Sequence, residues 1–66
     1  MSVNFLIKDI RKSKNITLKK LSLMSGISIT QLNDIENNLK IPTIITLECI
    51  ALALKVDIKE TYKIKN

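Results

Sequence analysis

TLKKLSLMSGISITQLNDIEN, residues 17 to 37, holds two helix starts and one helix stop. Thr17 is a good N-cap for a short helix in which Leu18, Leu21 and Met24 share a face. Gly26 ends that helix after Ser25, because glycine takes the left-handed conformation without a Cβ penalty. Only Ile27 separates this stop from Ser28, which has Gln31 three residues on and so makes a capping box for a second helix running to about Asn37. Two short helices joined by so brief a glycine-containing turn cannot pack antiparallel and must cross steeply.

Outward from this pair the apolar residues recur at helical rather than alternating spacing, and no repeat or low-complexity linker interrupts the chain. Upstream, Val3, Leu6, Ile7 and Ile10 follow an i, i+3, i+4, i+7 stripe. They predict helix 1 over about residues 3–14, with Ser2 or Asn4 as its cap and Asn15 able to close it in the left-handed region. The pair at 17–37 then supplies helices 2 and 3. Downstream, NLKIPT is a loop in which Pro42 bars helix continuation before Thr43 caps helix 4, about residues 44–54. Asp57 with Glu60 makes another cap signature and predicts a last short helix over about 58–62, followed by a charged tail, KIKN. The expectation is an all-α chain of five helices.

A chain of 66 residues with 45% apolar content suits one folded domain, residues 1–66. Cys49 has no partner for an internal disulfide, and the absence of His rules out a metal site built on several Cys or His. No acid–base pair on His and no phosphate-cradling glycine loop is present, and Cys49 sits in an apolar helix, so neither an enzyme nor a small-molecule substrate or cofactor is expected. The N-terminus has no long apolar run before a small-residue cleavage site. No uncharged window reaches the ~20 residues that span a bilayer, so a cytoplasmic protein without membrane contact is expected. The formal charge of +5 is concentrated. Lys8, Arg11, Lys12, Lys14, Lys19 and Lys20 stand against Asp9 in the first twenty residues, whereas five Lys and five acids balance in the rest. A block of this kind on a small fold makes a one-sided positive field suited to a polyanion.

The segments LIKDIRKSKNIT, LKKLSLMSGIS, ITQLNDIEN, the IPT that opens helix 4, and LECIALALKVDI resemble, in this order, the phage-repressor-like (Xre/Cro type) helix-turn-helix family. The resemblance runs from Leu6 to Tyr62, with Leu21, Gly26, Ile27, Leu32, Ile35, Pro42, Leu47, Ala51 and Leu54 at core and turn positions. It implies a compact five-helix lambda-repressor-like DNA-binding domain with its helix-turn-helix at about residues 17–37. Helix 3 would lie in the major groove of double-stranded DNA, with the start of helix 2 on the backbone. The function implied is a sequence-specific transcriptional regulator, most simply a homodimeric repressor whose copies read half-sites ~34 Å apart.

At about 100° per residue, Leu32 and Ile35 point to one side of helix 3, and Thr30, Asn33, Asp34 and Asn37 collect opposite, flanked by Ile29 and Gln31. No Lys or Arg lies on this helix. Base edges call for matched donors and acceptors: amides pair with adenine, Thr bonds several bases, Ile touches a thymine methyl, and Asp accepts from cytosine. Ser28, Ile29, Thr30, Gln31, Asn33 and Asp34 are therefore the candidate base contacts. Phosphates call for charge and hydroxyls, and Thr17, Lys19, Lys20, Asn37 and Lys40 are the candidates there. Arg11 and Glu36 match an ion pair that in the resembled family bridges helix 1 to the end of helix 3. A carboxylate near a helix C-terminus also asks for a cation on independent grounds.

Helix 4, IITLECIALAL, is apolar nearly all round. With Ile44, Leu47, Ile50, Ala51 and Leu54 on the core side, Ile45, Cys49 and Leu52 are left as a second stripe. Together with Ile58 and Tyr62 they form a candidate homodimer face. An alternative function is a protein-interaction module, such as an antitoxin or antirepressor-like domain with weak or no DNA binding.

Overall fold

Ile7, Leu21, Leu32, Ile35, Leu47, Ile50, Ala51 and Leu54 meet in one buried core to which all four α-helices contribute. The computed structural model describes residues 2–66. The order is β1 (Ser2–Phe5), α1 (Ile7–Ser13), α2 (Leu18–Ser25), α3 (Ile29–Glu36), α4 (Ile44–Leu54), a 3-10 turn (Ile58–Thr61) and β2 (Tyr62–Lys65). Apolar α4 lies against α1, α2 and the 3-10 turn, so its Leu47, Ile50, Ala51 and Leu54 face neighbours while the pair α2–α3 packs beside it.

The helices begin and end where local chemistry directs. Thr17, Ser28 and Thr43 each accept a hydrogen bond, from the amides of Lys20, Gln31 and Thr46 respectively, all at 3.1 Å. Each such cap is worth about 1 kcal/mol. Four turns need a positive φ: Asn15 (57°), Gly26 (76°), Asn38 (59°) and Lys55 (59°). Asn and Gly enter this region at low cost, and Lys does not.

The expectation of five helices is corrected at both ends of the chain. Residues 2–5 are not the first turn of helix 1 but a strand, and 63–65 are not a free tail. Ser2 pairs with Lys65, Val3 with Ile64, Asn4 with Lys63 and Phe5 with Tyr62 in an antiparallel two-stranded ribbon. Val3 and Phe5 alternate with Ser2 and Asn4, and Tyr62 and Ile64 alternate with Lys63 and Lys65, which is the period of a strand. The stripe from Val3 to Ile10 satisfied helical spacing too, and pairing with the distant C-terminus decided between the two. Helix 1 accordingly starts at Ile7, directly after Leu6 donates its amide to the Thr61 carbonyl at 2.8 Å.

The last helix is only a 3-10 turn. Its caps are in place: the Asp57 amide donates to Glu60 Oε2 at 2.8 Å, and Asp57 Oδ1 accepts from the Lys59 amide at 3.1 Å. The strand that starts at Tyr62 ends it after one turn. Ile44, expected on the core side of helix 4, is 71% exposed.

Candidate nucleic-acid interface

The turn between α2 and α3 is tied by side chains of α2. Ser22 Oγ donates to the Ile27 carbonyl at 2.6 Å, the Ile27 amide donates to Ser25 Oγ at 3.2 Å, and the Gly26 amide donates to the Ser22 carbonyl at 3.0 Å. Leu21 from α2 and Leu32 and Ile35 from α3 are buried beneath it. The relative placement of the two helices is therefore set by a three-residue turn held by these bonds and by apolar anchors under each helix.

With Leu32 and Ile35 inward, Ser28, Ile29, Thr30, Asn33 and Asn37 are exposed, whereas Gln31 and Asp34 are half-buried. Asn37 Nδ2 donates to Asn33 Oδ1 at 3.1 Å, one turn along the helix. This bond engages one group of each amide and leaves the Asn33 NH₂ and the Asn37 side-chain carbonyl oxygen with unused hydrogen-bonding capacity. The surface of α3 thus presents hydroxyls, amides, the aliphatic side chain of Ile29 and the half-buried Asp34 carboxylate, without any cation.

Cations flank it. Thr17, the cap of α2, and Lys19 and Lys20 in its first turn are exposed, where amides not used by the helix also gather, and Lys40 is exposed in the loop leaving α3. Among the described residues the one ion pair is Arg11–Glu36, so these lysines carry their charge unneutralised.

Arg11 Nε donates to Glu36 Oε2 at 2.8 Å and Nη2 donates to Glu36 Oε1 at 3.0 Å, with the side chains only 11% and 3% exposed. The Glu36 carboxylate raises the Arg11 pKa above its ordinary value by accepting from it, outweighing the opposing effect of burial. A third bond, which sequence reasoning missed, runs from Arg11 Nη1 to the Ile16 carbonyl at 3.0 Å. Nothing in the periodicity signals it, because the partner is a backbone oxygen. Through these bonds one guanidinium ties α1, the loop before Thr17 and the end of α3.

On α4, Ile45 and Leu52 are exposed and Cys49 is half-buried. Ile58 and Tyr62 pack against the chain's own core and offer only part of their surfaces to any partner. The exposed Leu39 and Ile41, in the loop after α3, belong to no helical stripe and were not singled out from the sequence. Among the described residues no helix is long and apolar enough to cross a membrane.

The structure resembles solved ones. It aligns with the restriction-modification controller protein C.AhdI from Aeromonas hydrophila with a TM-score of 0.80 at 18% identity, covering 82% of each chain, a likeness of fold. An HTH_3 family transcriptional regulator from Vibrio cholerae aligns with a TM-score of 0.77 at 35% identity, over 79% of this chain and 29% of that one. The ImmF control region 10 kDa protein of Bacillus phage phi105 is 40% identical over 53 residues, which is 80% of this chain; the chain spans 59% of that relative's length. The helix-turn-helix family model HTH_3 matches residues 7–60, from the start of α1 to within the 3-10 turn. Sequence match and architecture agree, and the chain belongs to the HTH_3 helix-turn-helix family.

Proposed function

We propose that this chain acts as a single helix-turn-helix domain and is a sequence-specific DNA-binding transcriptional regulator, a homodimeric repressor in its simplest form, located in the cytoplasm with its DNA. The observation that carries this reading is the cation-free, hydrogen-bonding surface of α3, held outward by buried Leu32 and Ile35 and bordered by unpaired lysines. In this reading Ser28, Ile29, Thr30, Gln31, Asn33 and Asp34 meet base edges. Thr17, Lys19, Lys20, Asn37 and Lys40 meet phosphates, which supply affinity without sequence preference. Two copies joined along α4 present two such surfaces to half-sites ~34 Å apart. The likeness to a phage control-region protein and to a Vibrio cholerae transcriptional regulator supports the regulatory role.

A salt titration of binding to duplex DNA tests the reading. A protein making 6 to 10 phosphate contacts loses on the order of 10³- to 10⁵-fold in affinity between 50 and 200 mM salt. A flat response contradicts the proposal. It favours instead the protein-interaction reading, whose supporting observation is the number of exposed aliphatic side chains, among them Leu39, Ile41, Ile44 and Ile45.

A further inference from the structure

Ile41 is 88% exposed, the highest value among the large apolar side chains described. It stands at the rim of a groove of about 330 Å³ whose other walls are Ser2, Val3 and Phe5 of the terminal ribbon. Val3 is directly opposite Ile64 in the ribbon, and both are about half exposed. Along the chain the exposed aliphatics continue through Ile44 and Ile45 to Leu52 on α4. From Ile41 to Leu54 there is one charge, Glu48. This apolar surface therefore reaches well past the α4 stripe, across the loop after α3 and onto β1 and β2.

Resting on the homodimer reading, we infer that the dimer face extends over the terminal ribbon, with Ile41 of each copy seated in the other copy's groove beside Val3. A knob at the rim of its own groove is the arrangement a two-fold axis needs, because each copy then gives the contact it receives. Charge permits a second copy as the occupant. Two molecules of charge +5 repel least where they meet across residues 41–54, whose one charge is Glu48, and on the ribbon Lys63 and Lys65 alternate with Ile64 and so fall on the other face of the strand from it. Area agrees. Val3, Ile41, Ile44, Ile45, Leu52 and Ile64, at on the order of 100 Å² each, supply most of the ~800 Å² per partner that a stable interface buries.

The test is sedimentation velocity at micromolar concentration on the whole chain and three variants, with circular dichroism as the check on folding. The wild type and Leu23→Glu, which alters an exposed apolar residue of α2 outside the face, are expected at about twice the 7.5 kDa of one chain. Ile41→Glu and Val3→Lys are expected at the monomer mass with helical content retained; if one of them fails to fold, the other decides. Dimers in both Ile41→Glu and Val3→Lys would overturn this extension and leave the homodimer reading standing. Dissociation of Leu23→Glu would also overturn it, by showing that any added charge suffices. A monomeric wild type would overturn both and leave the face to a different partner.

Discussion

Arg11 holds Glu36 with two parallel hydrogen bonds, at 2.8 and 3.0 Å, and with its remaining nitrogen holds the Ile16 carbonyl at 3.0 Å. Both side chains are nearly covered, so removing one leaves the other charged and poorly solvated. Glu36→Ala is expected to cost about 3 kcal/mol, a large part of the ~3–10 kcal/mol that 66 residues usually retain. Urea unfolding measures it, and a loss below about 1 kcal/mol would reduce the pair to a surface contact. The contribution of Arg11 does not vary with pH near neutrality. Its pKa is raised in the folded state, so the stabilisation is complete below the ordinary arginine value and is lost as pH rises from there through the folded one.

Lys19→Ala and Lys20→Ala are expected to weaken binding to every DNA sequence alike, each lowering the salt slope by about 0.9 if it removes one phosphate contact. Asn33→Ala is expected to cost about 1–3 kcal/mol at the preferred site and little elsewhere, flattening discrimination. Competition between specific and random duplexes separates the two effects. Equal losses on both duplexes from Asn33→Ala would remove the base-reading role from α3.

Gly26 and Lys55 are both left-handed, and they answer substitution differently. A Cβ on Gly26 would meet no atom within 4 Å, so Gly26→Ala is expected to cost only backbone strain, about 1–2 kcal/mol. Lys55 already carries such strain at φ 59°. Lys55→Gly relieves it but enlarges the freedom of the unfolded chain, so thermal unfolding should change by less than about 1 kcal/mol. Lys55→Val should lose about 1–2 kcal/mol, since a β-branched residue fits this region worst.

The central helices were legible because their information is local. Thr17, Gly26, Ser28, Pro42 and Thr43 mark boundaries by their own backbone chemistry, and α2 and α4 span the residues those marks delimit. The ends were not legible in the same way. Val3 and Ile64 pair across almost the whole chain, and a strand of four residues carries too few alternations to outvote a helical stripe that shares its apolar members. Ile44 illustrates a further limit. Helical spacing places it near the core side of α4, but it lies in the first turn, at the end of the helix, where spacing alone does not show which neighbours reach to cover it. On the candidate interface, the outward position of Thr30 and Asn33 followed from buried Leu32 and Ile35. The Asn33–Asn37 bond and the grip of Arg11 on Ile16 depended on side-chain geometry that spacing does not contain.

Selection of bound sites from a pool of random duplex DNA, carried out with the wild type and with Asn33→Ala, tests most directly whether α3 reads bases. The account predicts one enriched motif for the wild type, repeated with two-fold symmetry about one helical turn apart, and a changed or degenerate base at one position of each half for the variant. A pool that stays random, or a motif identical for both proteins, would contradict it.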